Sequence, residues 1–189
     1  MKKRIILATS NKGKLREFRQ ILKDFEIIPM NEAGFTGEIE EDGESFYENA
    51  LIKAKAVATA LNLPALADDS GLCVDALGGA PGVYSARYSK TGEDKDNKRL
   101  LLKNMEGIKN RRAKFVCTLV YYSPDGETVS VSGETEGEIM LKEEGNNGFG
   151  YDSVFYSADL KKGMGTATPE EKNGVSHRAR AIEKIKTLL

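Results

Sequence analysis

The first apolar run, residues 4–8, carries Ile5, Ile6, Leu7 and Ala8 without a polar break and stops at Thr9. An uninterrupted run of that length predicts a strand buried on both faces. Leu15, Phe18, Ile21, Leu22 and Phe25 then recur at helical spacing, so the polar stretch Ser10-Asn11-Lys12-Gly13-Lys14 reads as a loop between strand and helix. A second strand is predicted over residues 26–30, followed by an acidic loop over residues 38–43. Ser45 with Glu48 three positions later is a capping box, and Phe46, Ala50, Leu51, Ala54, Ala58 and Leu61 form the apolar stripe of a long helix. Pro64 ends that helix, and Ala65-Leu66-Ala67 reads as a short buried strand that delivers Asp68-Asp69-Ser70-Gly71 to a loop at its end.

Further along, residues 94–105 look helical, and residues 115–122 are rich in β-branched and aromatic side chains. Pro124-Asp125-Gly126 turns the latter back into a partner strand around residues 128–131, a β-hairpin. Residues 137–141 predict another strand before the glycine-rich stretch that runs from Gly145 to Gly150. Ser176 is the expected N-cap of a last helix carrying Ala181, Ile182, Ile185 and Leu189. Strands and helices alternate early and a hairpin comes late, so the fold class is α/β with a mixed sheet. With 189 residues and no repeat, low-complexity tract or linker, one domain over residues 1–189, or two closely packed lobes, is expected.

Charge and composition narrow the function. The 28 Lys and Arg nearly balance 29 Asp and Glu, so a general polyanion binder is disfavoured and any phosphate contact must be local. Neither nucleic acid nor a membrane is therefore an expected partner, since the apolar runs are also far too short to span a bilayer. Met1-Lys2-Lys3-Arg4 ahead of an apolar run has the look of a signal peptide, but the run ends too soon at Thr9. Cys73 and Cys117 each lie in an apolar segment, as reduced core thiols do, which favours a reducing cytoplasm.

Three groups of residues could carry chemistry. Thr9-Ser10-Asn11-Lys12-Gly13-Lys14, between a strand and a helix, offers backbone N–H groups and two ammonium groups that suit an oligophosphate. The spacing of a P-loop is missing, and an ordinary polar helix start has the same composition. Asp68 and Asp69 are consecutive residues that a strand delivers to a loop, so their side chains leave in different directions; one can face a site while the other anchors the turn. Carboxylates of this kind suit Mg²⁺, which uses one or two protein carboxylates and takes its other positions from water and phosphate. They also suit a plain Asx-turn. The acidic run Glu40-Glu41-Asp42 is by default a solvated loop that could add a second metal ligand, and Lys53, near the edge of the buried stripe of its helix, could reach a cleft. Finally, Phe149-Gly150-Tyr151-Asp152 with Lys172, His177 and Arg178 combines a stacking face with groups that read the polar edge of a heterocycle, which suits a nucleobase. His177 is the only histidine and lacks partners at zinc spacing.

Taken together, these pieces resemble the inosine/xanthosine triphosphate pyrophosphatase family, whose members hydrolyse nonstandard purine nucleoside triphosphates to the monophosphate and pyrophosphate. The resemblance rests on the segments just named, on Ser45-Phe46-Tyr47-Glu48-Asn49-Ala50, and on Gly78-Gly79-Ala80-Pro81-Gly82-Val83-Tyr84-Ser85-Ala86-Arg87. These run in the family's order from residue 9 to residue 178. It implies an elongated mixed sheet with flanking helices, two lobes around a central cleft, and a cytoplasmic homodimer. It further implies that residues 9–14 and Lys53 hold the triphosphate, that Asp69 is general base and metal ligand, and that Ser70 contacts substrate. Phe149 would stack on the base with Gly150, Tyr151 and Asp152 beside it, and Lys172, His177 and Arg178 would meet the base edge. The second metal ligand points to Glu40, with Glu41 the adjacent alternative, and the metal to Mg²⁺ with Mn²⁺ as a substitute. Asn146-Asn147 and Ser153 depart from the family pattern, where Thr-Gly and proline are usual.

On this reading the substrates are ITP, dITP and XTP. Their C6 carbonyl accepts a hydrogen bond where adenine presents an amino donor, and each buried donor left unpaired costs about 1–3 kcal/mol. Two rivals stand beside it: a Maf-type pyrophosphatase with other base preferences, and a nucleotide-binding module without catalysis.

Overall fold

The protein is described here by a computed structural model covering residues 2–188; Met1 and Leu189, the last position of the expected C-terminal stripe, lie outside the described residues. In chain order the first half holds β1 (Lys3–Leu7), α1 (Lys12–Ile21), β2 (Phe25–Pro29), α2 (Phe46–Leu61), β3 (Ala65–Val74) and α3 (Asp94–Asn104). The second holds β4 (Arg112–Tyr122), β5 (Thr128–Ile139), β6 (Phe155–Ser157), β7 (Lys162–Gly163), α4 (Pro169–Val175) and α5 (His177–Lys186). The sheet is mixed, as the element pattern predicts: its order is β2-β1-β3-β4-β5-β6-β7, with β1 parallel to β2 and β3, and β6 antiparallel to β5 and β7.

The chain divides into two compact units, the first comprising residues up to Asp69, Cys117–Gly133 and Arg178 onward, the second Ser70–Val116 and Glu134–His177. In the first unit the strand period of two sorts the apolar residues onto two faces. Ile5, Leu7, Leu66, Cys117 and Leu119 pack with Phe18 and Leu22 of the α1 region and with Ala181, Ile182 and Ile185 of α5. Ile6, Ala8, Ala65, Ala67 and Val120 point the other way, onto Ala50, Ala54, Val57 and Ala58 of α2. In the second unit Leu72 and Val74 continue β3 into a separate core with Leu101, Met105, Phe115, Ile139, Val154 and Phe155.

The capping box forms as expected: the Ser45 hydroxyl accepts the Glu48 N–H at 3.2 Å, and the Glu48 carboxylate accepts the Ser45 N–H at 3.2 Å. The helix stops at Asn62, which takes a left-handed conformation with φ 51°, before Pro64 is reached. Ser45→Ala should lower the unfolding free energy by about 1 kcal/mol in urea denaturation, because the Glu48 N–H in the first turn loses its acceptor.

Four expectations change. Helix α1 begins at Lys12, because Asn11 is its N-cap and accepts the Lys14 N–H at 3.0 Å; Lys12, Gly13 and Lys14 are its first turn and not loop. Phe25 belongs to β2. Strand β3 does not end at Ala67 but runs to Val74, since Leu72 and Val74 resume burial, so Asp68 and Asp69 sit mid-strand. The strands expected at residues 128–131 and 137–141 are one strand, β5, whose exposed positions alternate with buried or half-buried ones that include the polar Thr135. It passes β6 so closely that a Cβ on Gly137 would lie 2.0 Å from the Tyr156 carbonyl oxygen. Beyond the glycine-rich stretch, β6, β7 and α4 were not anticipated; Ser176 directly precedes α5, the position expected of its N-cap, and also closes α4. Among the described residues no helix is long and apolar enough to cross a membrane.

Candidate active site

The alternation that builds the first unit also separates its two central carboxylates. Asp68 shares the face of Leu66 and so meets α1 and α5; Asp69 shares the face of Ala65 and Ala67 and so meets α2. Asp68 is buried and accepts the Arg178 Nε at 2.9 Å and the Cys117 thiol at 3.0 Å, and it forms an ion pair with Lys14. Arg178 pairs in turn with Glu17 of α1. Burial by itself would raise the Asp68 carboxyl, but Arg178 first and Lys14 second hold it well below the usual carboxylate range.

Asp69 is different. It is 7% exposed; its Oδ1 lies 3.3 Å from the Lys53 ammonium, while its Oδ2 is buried without a hydrogen-bond partner among the described residues. Lys53 also donates to Glu41 Oε2 at 2.6 Å. Burial is the main reason that the Asp69 carboxyl sits above its ordinary value; Lys53 and Lys14 pull it down, Asp68 and Glu41 push it up. Burial alone would lower Lys53, yet Asp69 and Glu41 outweigh it and keep its ammonium above the ordinary lysine range. The group is thus a proton-seeking carboxylate flanked by a firmly charged lysine.

The polar segment before α1 supplies the other part of this half. Thr9 Oγ1 accepts the Asn11 N–H at 3.2 Å, Asn11 caps the helix, and no acidic residue occupies its first turn. The positive end of α1 is therefore left uncompensated by its own side chains, while Ser10, Asn11 and Lys12 are exposed. Glu40 is exposed, and Glu41, one place on, is the acidic-loop residue that the structure brings to Lys53. The loop is tied down by the buried Asn49, whose Oδ1 accepts the Gly43 N–H at 2.9 Å.

Ser70 follows Asp69 directly and opens the second unit, which also holds the aromatic group. The Lys172 ammonium lies 4.6 Å from the centre of the Phe149 ring and donates to Asp152 Oδ2 at 2.6 Å. The same oxygen accepts the Phe149 N–H at 2.9 Å. A Cβ on Gly148 would lie 2.0 Å from Asp152 Oδ2, so only glycine fits there. His177 is buried and stacks on Phe115, with ring centres 4.8 Å apart.

Two expected base contacts are placed otherwise. The Tyr151 ring is buried in the core of the second unit and its hydroxyl donates to the Ser85 carbonyl at 2.7 Å. Arg178 is 1% exposed and belongs to the first unit, its guanidinium held by Asp68 and Glu17. Sequence reasoning missed Glu17 and Cys117. Glu17 had one legible signal, a charged residue on the apolar stripe between Leu15 and Phe18; Cys117 had none beyond its apolar setting.

A lysine-paired carboxylate on one strand of a mixed α/β sheet, with an exposed helix N-terminus free of acidic residues in the same unit, suits proteins that act on phosphorylated small molecules. Comparison with known proteins narrows this. A profile of the Ham1 family matches residues 5–188. The dITP/XTP pyrophosphatase of Bacillus subtilis (strain 168) is 47% identical, over 99% of this chain and 97% of that protein. The Ham1 protein of Staphylococcus aureus superposes with a TM-score of 0.89 at 42% identity, covering 98% of this chain and 97% of that one. A HAM1 protein from Coxiella burnetii gives 0.90 at 39% identity, covering 98% of each. The chain belongs to the Ham1 family.

Proposed function

We propose that this chain hydrolyses the nonstandard purine nucleoside triphosphates dITP, XTP and ITP to the nucleoside monophosphate and pyrophosphate. The reading is supported by relatives named dITP/XTP pyrophosphatase that match almost the whole chain. The observation that carries it is Asp69: a carboxyl whose pKa burial raises, oriented through Oδ1 by Lys53, with a buried Oδ2 that has no hydrogen-bond partner among the described residues and so can take a proton.

In the mechanism Asp69 orients the attacking water and takes its proton as the water adds to the α-phosphorus. Thr9, Ser10, Asn11, Lys12, Gly13 and Lys14 hold the triphosphate at the α1 N-terminus. Lys14 and Lys53 receive the charge that develops on the departing pyrophosphate. Ser70 contacts the substrate beside Asp69. Among the described residues no three His, Cys, Asp or Glu side chains converge as a closed metal cluster. An open donor such as Asp69 Oδ2, with one acidic-loop carboxylate nearby, still fits a hard cation that draws its other ligands from phosphate and water. Mg²⁺ bound by Asp69 and Glu40 or Glu41 would neutralise the triphosphate. Glu40→Gln and Glu41→Gln decide between them: the true ligand's variant should need about tenfold or more Mg²⁺ for half-maximal rate, and the other should stay near wild type.

For the base, the purine stacks on the Phe149 ring, with the Lys172 ammonium beside it. Lys172, His177 and backbone N–H groups of residues 149–152 meet its edge. Arg178 joins them only by releasing Glu17 or Asp68. Cys73 and Cys117, neither of them in a disulfide, fit a reducing cytoplasm, and a homodimer, which the resemblance implies, is checked by sedimentation equilibrium.

The test is pyrophosphate release from ITP, XTP, ATP and GTP with and without Mg²⁺. ITP and XTP should be turned over on the order of 10² or more times better than ATP, and a chelator should stop the reaction until Mg²⁺ is restored. Release of orthophosphate alone, or no preference among the four, would overturn the reading.

A further inference from the structure

Helix α3 reaches the base-binding segment at two points from one of its faces. Asp94, its first residue, accepts the Gly150 N–H at 2.8 Å. Lys98 donates to Ser153 Oγ at 3.0 Å and pairs with Glu143 at 2.5 Å, and the Ser153 hydroxyl donates to Glu143 at 2.9 Å. Residues four apart lie one above the other on a helix. A single helical face therefore grips both ends of residues 150–153.

That grip matters because of what the segment holds and how loose it is by itself. Between the two anchor points lies Asp152, whose carboxylate seats both the Phe149 N–H and Lys172. Gly148 and Gly150 both take positive φ, 78° and 60°, conformations that glycine enters freely and leaves as freely. The buried Tyr151 ring and the Ser153 carbonyl, which accepts the Glu144 N–H at 2.7 Å, restrain the middle and end of the segment; the bonds from α3 add the restraint on the Gly150 N–H and the Ser153 side chain. Asp94 is exposed and Lys98 only partly buried, and neither belongs to an apolar core, so their geometry is set by these bonds.

We propose that Asp94 and Lys98 are positioning residues of the base site: they fix the backbone of residues 150–153, and with it the placement of Phe149, Asp152 and Lys172 that sets affinity for and choice among purine bases. The inference rests on reading that segment as the base site. It adds a control of specificity that acts from a helix without touching the nucleotide, and it gives Ser153 a role as the hydroxyl through which Lys98 and Glu143 hold the chain.

The experiment compares Asp94→Ala and Lys98→Met with the conservative Asp94→Asn and Lys98→Arg in the full chain. In Asp94→Ala and Lys98→Met the KM for ITP should rise about tenfold, kcat should change by no more than about threefold, and the preference for ITP over ATP should narrow. Asp94→Asn, which keeps an acceptor oxygen, should recover most of the affinity, as should Lys98→Arg. Amide hydrogen exchange at Gly150 should accelerate about tenfold or more in Asp94→Ala, whether or not nucleotide is turned over. If both variants keep wild-type KM and base preference and merely melt at lower temperature, the two residues are structural braces and the proposal is overturned. Unchanged Gly150 exchange overturns it equally. A wild-type chain that turns over no purine triphosphate overturns the functional reading together with this one, whereas an active wild type with indifferent variants overturns this one alone.

Discussion

Replacing Asp69 with asparagine should lower kcat for ITP by about 10²–10⁴-fold while leaving ITP affinity and the folded state little changed. Asparagine has the same shape and can still meet Lys53, but it cannot take a proton from water. The strand geometry makes this a clean experiment. Asp68 carries the structural ion pairs on the opposite face, so Asp69→Asn disturbs none of the bonds to Arg178, Lys14 or Cys117. Steady-state pyrophosphate release gives kcat, and calorimetric titration of the variant with ITP gives affinity without turnover. Turnover within a few-fold of wild type would remove Asp69 from its role as base.

The second large effect is on stability. Arg178→Leu should destabilise the fold by about 3–5 kcal/mol, because it leaves Asp68 and Glu17 charged and buried without their common counter-ion. The pH dependence has a definite sign. Asp68 is held below its unfolded value, so its contribution is complete above the ordinary carboxylate pKa of about 4 and is lost as pH falls through the depressed folded value. Without Arg178 the carboxyl protonates more readily, so the variant escapes part of its penalty in acid. Urea denaturation should therefore show a wide gap between wild type and variant at neutral pH and a narrower one below about pH 4. An equal gap at both would mean that lost packing of the arginine stem, and not its charge, dominates.

Much of the molecule was legible locally because the relevant interactions are local. The capping box, the alanine-rich stripe of α2 and the turn at Pro124-Asp125-Gly126 each depend on residues three or four apart. Strand β5 was read as two pieces because its buried positions include Thr135, and polar alternation carries little hydrophobic signal. The short α4 was missed for a related reason: its seven residues are too few to show a helical period of apolar positions.

For the site, the sequence by itself determined that Asp68 and Asp69 must diverge, since consecutive strand residues point to opposite faces. It also named the motif residues that place the chain in its family. Which carboxylate is ion-paired to the helices of one face, and which is left beside Lys53 on the other, was decided only by the tertiary structure. α1 and α5 bring Lys14, Glu17 and Arg178 to one side, from positions as far as 110 residues away, and α2 brings a single lysine to the other. Arg178 shows the same limit: it is adjacent to His177 in the chain, yet the two side chains belong to different compact units. Charge pairing across such separations has no local signature, because it depends on which surfaces the packed helices cover.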